Sequence, residues 1–191
     1  MPPWFGITDS NPPIFARAPE PMPMPTPFHQ HCQIDSALGP LRLARTPLGL
    51  CGVWFEGQRH APAEERFAPE HTAPDDPLLA HTAAQLQAYL QGRLQAFDVP
   101  LDLSAGTAFQ QRVWHALLQL PHGGIGHYGQ LAGTVGQATA ARAVGAAVGR
   151  NPVSIIVPCH RVLGRDGQLT GYAGGLWRKR ALLQLEGHPL S

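Results

Sequence analysis

The chain has 191 residues, 43% of them hydrophobic and 14% charged, which is enough apolar sequence to bury a core in one domain or two small ones. No run of eighteen apolar residues occurs, which argues against a membrane-spanning helix, and no basic start with an apolar core marks a secretory signal. Three unevenly spaced cysteines (Cys32, Cys51, Cys159) form no disulfide framework and fit a reducing, cytoplasmic compartment.

The net charge of +1 hides a split. Residues 1–104 hold 6 Lys+Arg against 11 Asp+Glu, and residues 105–191 hold 8 against 2. The second part suits a polyanion, although a basic face can equally be solvated surface.

Residues 1–27 carry 9 of the 20 prolines and all three methionines, and are expected to form an extended, mobile arm. Residues 32–57 read as short strands broken at 37–40 and 46–49, a small antiparallel sheet with hairpin connections. Residues 58–77, with four prolines, read as loop. Asp76-Pro77 is an N-cap followed by proline in the first helical turn, and Leu79, Ala83, Leu86, Leu90, Leu94 and Phe97 continue as one helix face packed on the sheet.

A capping box at Thr107 and Gln110 opens the next helix, which Pro121 and the following glycines end. Two short helices near 128–135 and 139–148, separated by Gly136-Gln137, have the layout of a helix-turn-helix. Val153-Ser154-Ile155-Ile156-Val157 is a buried β-branched run, read as a strand. A last helix spans about 175–186 and stops at Gly187.

The chemistry concentrates in Pro158-Cys159-His160-Arg161-Val162. A thiol is a weak nucleophile until ionised, and an imidazole, a nearby arginine or a helix terminus each favour the anion. Adjacent side chains on a strand face opposite ways, so Cys159 and His160 need a local bend to cooperate. A structural buried cysteine is the alternative.

The segment Asn151-Pro152-Val153-Ser154-Ile155-Ile156-Val157-Pro158-Cys159-His160-Arg161-Val162 resembles the active-site segment of the O6-alkylguanine-DNA alkyltransferases, also called methylated-DNA–protein-cysteine methyltransferases. The likeness extends through Phe109-Gln110-Gln111-Arg112-Val113-Trp114, Thr139-Ala140-Ala141-Arg142-Ala143-Val144-Gly145, Gly171-Tyr172-Ala173-Gly174-Gly175-Leu176 and Glu186-Gly187, covering 107–188. The first half matches chiefly at Asp35-Ser36-Ala37-Leu38-Gly39.

The resemblance implies an α/β protein of two domains. An N-terminal ribonuclease-H-like domain over 28–104, a small antiparallel sheet plus helix, would precede a mostly helical domain over 105–191 with a winged-helix-like helix-turn-helix. The implied activity is DNA repair by direct damage reversal, a single-turnover methyltransferase. The alkyl group of O6-alkylguanine, and of O4-alkylthymine, passes irreversibly to the protein's own cysteine after the nucleotide is flipped out. Guanine O6 lies inside the stack, so extrusion is a physical requirement.

By the same resemblance Cys159 is the acceptor, His160 the base acting through a water, Glu186 the carboxylate that orients it, and Asn151 the brace of the turn. Arg142 matches an intercalating finger on a helix in the minor groove, and Tyr128 helps rotate the nucleotide and donates a proton to the leaving guanine. Tyr172 walls the base pocket, with Val162 and Ala173 beside it. The partner is double-stranded DNA carrying O6-alkylguanine, the protein is a monomer off the membrane, and no cofactor is implied.

Two patterns point elsewhere. Gly124–Gly129 spells G-x-G-x-x-G but follows a helix, outside any βαβ unit. His29, His31, Cys32 and Cys51 resemble scattered zinc ligands without an accepted spacing, so no metal is expected. A DNA-binding alkylation sensor without a repair role, and a thiol hydrolase, are the rival readings.

Overall fold

The computed structural model describes residues 26–137 and 139–189. The proline-rich arm expected over 1–27 lies, apart from its last two residues, outside the described residues.

The first half folds as an antiparallel meander, β1 (Gln30–Ile34), β2 (Leu41–Thr46) and β3 (Gly49–Phe55), in the order β1-β2-β3. The connections are the two turns read from sequence, and Gly39 (φ +99) supplies the left-handed residue that the first one needs. Helix α1 (Pro77–Leu90) packs on this sheet, with the Asp76 carboxylate accepting from the N–H groups of Leu78 and Leu79.

The helix is shorter than its apolar stripe. It ends at Leu90, where Gln91 caps it and Gly92 turns left-handed, yet Leu94 and Phe97 still pack against the core from the following coil. The stripe therefore measured burial, and the helix stop was set by backbone conformation. The expected loop over 58–77 contains two single-turn 3₁₀ segments, Glu64–Arg66 and Pro69–His71.

The second half is mostly helical. α2 (Ala108–Leu118) begins with the Thr107–Gln110 capping box. Then come β4 (Gly126–His127), α3 (Tyr128–Thr134), α4 (Ala141–Gly149), β5 (Val162–Leu163) and α5 (Leu176–Leu185). α3 and α4 form the helix-turn-helix, and α4 packs back on α2, where Trp114 Nε1 donates to the Ala147 carbonyl at 2.9 Å. β4 and β5 pair in parallel, tying the start of α3 to the segment that follows Cys159.

One buried core runs through both halves, from Leu43, Val53 and Leu86 to Val113, Val144 and Val157. The outer edge of β3 carries the junction. Its Val53 N–H donates to the Pro152 carbonyl and its carbonyl accepts from the Ser154 N–H, both at 2.9 Å, while Leu50 exchanges hydrogen bonds with the 100–102 segment. An edge strand's open donors and acceptors are thereby satisfied, at Val53 by the second half of the chain and at Leu50 by the segment that leads into it.

The run 153–157 is buried, as its composition demands, but it is no strand. Apart from one bridge, Val53 to Val153, it is a series of turns, with Ile155 at φ +72. The turn's own backbone bonds, such as Val157 N–H to the Val153 carbonyl at 3.0 Å, and the Asn151 amide together supply the hydrogen bonds that a ladder would otherwise have provided.

Candidate active site

Cys159 opens a single 3₁₀ turn, Cys159–Arg161, and this is the local bend that an adjacent Cys-His pair requires. The amide of Asn151 sits underneath. Its Nδ2 donates to the Val157 carbonyl (2.8 Å), the Cys159 Sγ (3.0 Å) and the Val153 carbonyl (3.3 Å), while its Oδ1 accepts from the Val153 N–H (3.0 Å). A single buried side chain thus fixes the turn and points an N–H at the sulfur.

The thiol is 5% exposed. Burial pushes its pKa up, opposed by the Asn151 hydrogen bond and by the positive charge of Lys179. Both opposing groups favour thiolate, so the sulfur is held protonated at rest in surroundings that receive the anion. The other two cysteines lack this arrangement: burial drives Cys32 to about 11 and Cys51 to about 12, with carboxylates adding to the rise.

His160 is fully buried, and its Nε2 lies 3.0 Å from Oε1 of Glu186. Glu186 caps the end of α5, just before Gly187 at φ +91. Arg161 Nε donates to both carboxylate oxygens (3.1 and 2.9 Å) and its Nη2 to Oε1 (2.8 Å), while the Gly123 N–H donates to Oε2 (3.2 Å). Burial raises the carboxyl pKa, but the hydrogen bonds from His160 and Arg161 outweigh it and hold the group well below the usual carboxylate range.

An ionised Glu186 accepts, so Nε2 of His160 carries the proton and Nδ1 offers a lone pair. Burial lowers the imidazole pKa, against the pull of Glu186, and keeps it neutral. Nδ1 is buried and has no hydrogen-bond partner among the described residues. The arrangement is a neutral base with its accepting nitrogen unoccupied, next in sequence to a braced thiol.

Three contributors escaped the reading from sequence. Tyr89, on α1, donates to Glu186 Oε1 and lies 3.4 Å from His160 Nε2. No residue pattern signals it, because it belongs to the other half of the chain. Arg161 stands inside the motif but pairs with Glu186, with its Nη1 on the Leu120 carbonyl, so its guanidinium holds the carboxylate and is turned away from the thiol. Lys179 is the chain's one lysine among arginines, a signal visible in the sequence. It is buried, donates to the Val162 and Thr170 carbonyls at 2.5 and 2.7 Å, and burial lowers its pKa to about 8.

The remaining candidates, Arg142 excepted, lie around this centre. Tyr128 starts α3, and Tyr172 and Ala173 lie on the loop before α5. All three line one cavity of about 230 Å³. Val162 joins the site through its backbone, paired with Gly126 and accepting from Lys179. Arg142 is exposed in the first turn of α4 and stands apart from the cluster.

The scattered zinc-like ligands are not assembled. Among the described residues no group of three or more His, Cys, Asp or Glu is placed to hold a metal; His31 instead bonds the Ala68 carbonyl, while Cys32 packs in the main core and Cys51 in a separate one.

A family model described as the 6-O-methylguanine DNA methyltransferase DNA-binding domain matches residues 108–188, and one described as the ribonuclease-like domain of the same protein matches 32–103. A methylated-DNA–protein-cysteine methyltransferase of Mycobacterium tuberculosis is 50% identical over 153 residues, 80% of this chain and 89% of that protein. The chain belongs to the methylated-DNA–protein-cysteine methyltransferase family.

A second methyltransferase of this family, from Mycobacterium leprae, is 49% identical over 159 residues, 83% of this chain and 93% of its own length. Among solved structures, that of Mycobacterium tuberculosis OGT in complex with DNA superposes with a TM-score of 0.72 at 48% identity, covering 82% of this chain and 92% of that one. The two-domain α/β architecture is that of the family, and the activity is transfer of a methyl group from DNA to a protein cysteine, a direct reversal of damage.

Proposed function

We propose that Cys159 is the acceptor, and that it takes the alkyl group from O6-alkylguanine, and from O4-alkylthymine, flipped out of duplex DNA. The observation that carries this reading is the buried, unpartnered Nδ1 of His160, held neutral and oriented by Glu186 beside the thiol that Asn151 braces. The thiol proton passes through a water to Nδ1. The thiolate then attacks the alkyl carbon, the carbon–O6 bond breaks, and the S–C bond forms. The S–C bond of a thioether is chemically stable, so on this reading one molecule repairs one lesion.

Guanine leaves more readily as a neutral base than as an anion, and the Tyr128 phenol is the donor we assign. Burial raises its pKa, which keeps the proton on the oxygen until transfer. Tyr172 walls the flipped base, with Ala173 and Val162 bordering it. Arg142, exposed without a partner among the described residues, fills the gap left in the stack, from a helix in the minor groove. We place the domain boundary at 104/105, with the first domain starting at residue 28, and take the protein to act as a cytoplasmic monomer.

The test is to incubate the protein with duplex DNA carrying O6-methylguanine and to weigh the intact chain. One methyl increment, on Cys159, in 1:1 proportion and absent from Cys159→Ala, is expected. An unmodified thiol with unaltered DNA would overturn the assignment.

A further inference from the structure

The cavity that holds Tyr128, Tyr172 and Ala173 is not built by the second domain alone. Arg59 and His60 line it from the first domain, and Arg150 lines it from the end of α4. No acidic side chain lines it, and both arginines are exposed, with neither a hydrogen bond nor an ion pair for their guanidinium groups among the described residues.

Arg59 is nevertheless held firmly by its backbone. Its N–H donates to the Ala173 carbonyl at 3.0 Å, and the Ala61 N–H closes the turn on Gln58 at 3.3 Å. Gln58 is buried, and its Oε1 accepts from the Phe55 N–H (3.2 Å) and from the Ser154 hydroxyl (3.0 Å), which locks this loop to the active-site turn. His60 follows at φ +62, a left-handed conformation uncommon outside glycine that persists only where the surroundings impose it. The fold thus orders the backbone of a loop whose arginine side chain has no structural partner among the described residues.

We propose that Arg59 and Arg150 form a phosphate clamp, contributed by the two domains, for the backbone of the extruded nucleotide. This rests on the function proposed above. A base seated between Tyr128 and Tyr172 brings its own phosphodiesters to this cavity, which is lined by two arginines whose guanidinium groups have no partner among the described residues. Guanidinium matches phosphate in geometry and charge, and an unpaired one gives up no ion pair on binding. The clamp gives the first domain a direct part in holding DNA.

The experiment compares wild type, Arg59→Ala, Arg150→Ala and the double variant. Single-turnover transfer is followed from duplex DNA carrying O6-methylguanine, from the same duplex with neutral methylphosphonate flanking the lesion, and from free O6-methylguanine base. Both side chains are exposed and the Arg59 main-chain bond is untouched, so unchanged thermal melting is the check on folding.

Each single variant is expected to slow transfer from native duplex about tenfold, the equivalent of one charge-assisted hydrogen bond. The free base should be affected far less. Methylphosphonate should slow wild type strongly and the double variant little. The independent readout is the salt dependence of duplex binding, whose slope should become shallower by about 0.9 for each phosphate no longer neutralised. Equal slowing on all three substrates, or a wild type indifferent to methylphosphonate, would overturn the clamp and leave the methyl transfer standing. Failure of wild type on native duplex would instead overturn the proposed function and the clamp with it.

Discussion

The phenol of Tyr89 donates to the carboxylate of Glu186 across 97 residues of chain, from the helix of the first domain to the residue that caps α5. Burial and the neighbouring carboxylate push its pKa above the ordinary tyrosine range, so the phenol remains a donor at any working pH. The carboxylate that orients His160 is therefore seated partly by the other domain.

Replacing Tyr89 with Phe removes that donor with little change in volume. A hydrogen bond to a charged group is worth about 1.5–3 kcal/mol, and a loss of that size is expected in denaturant unfolding. Single-turnover transfer should also slow, with its pH profile displaced, because Glu186 would hold His160 less firmly. Lost stability with an unaltered rate and profile would reduce Tyr89 to a strut.

Asn151→Ala strips the turn of its brace. The Val153 N–H loses its partner inside the protein, at about 1–3 kcal/mol for a buried group left unsatisfied, while the Val157 carbonyl keeps the Cys159 N–H. Transfer should fall by more than the folded fraction does, since the sulfur loses its N–H donor as well. Asn151→Asp should be worse for rate, because a carboxylate beside Cys159 opposes thiolate. A rate retained in Asn151→Asp would refute the thiolate role.

Stability should fall steeply in acid. His160 has a folded pKa below its ordinary 6.5 and Glu186 one below its ordinary 4.5. In both cases the unfolded chain binds protons first, so unfolding gains as pH drops. The His160 contribution erodes below about 6.5 and that of Glu186 below about 4.5. Urea midpoints measured from pH 8 to pH 3 should trace this two-part decline, and Glu186→Gln should remove the lower part. A flat profile between 6.5 and 4 would show that His160 titrates normally.

Arg142→Ala tests extrusion. Exposed on the first turn of α4, the side chain contributes little to folding, so melting should not change. Transfer from duplex should slow by orders of magnitude more than transfer from free alkylated base, which needs no flipping. Equal losses on the two substrates would remove Arg142 from the intercalating role.

Local structure and chemical class were legible in the sequence because both depend on near neighbours. The Asp76-Pro77 cap, the Thr107–Gln110 box, the hairpin turns and the terminal Gly187 each act within four residues of chain, and the structure has each of them. Cys159, His160, Glu186 and Asn151 are singled out by the likeness of one continuous segment and the chain end, and the fold brings them together.

What had to wait for the tertiary structure depends on groups far apart along the chain. The 153–157 run reads as a strand from side chains alone, and it is the backbone bonds within it, the Asn151 amide and Ile155 in the left-handed region that make it a turn. α1 looked longer because Leu94 and Phe97 are core residues whatever their backbone does. Composition cannot show that Tyr89 reaches Glu186 or that Arg161 turns to the carboxylate, nor that Lys179 lies buried near the thiol or that Arg59 is carried to Ala173. Periodicity reports which face of an element is buried, whereas the identity of the group waiting on the other side is decided by how the two domains close on each other.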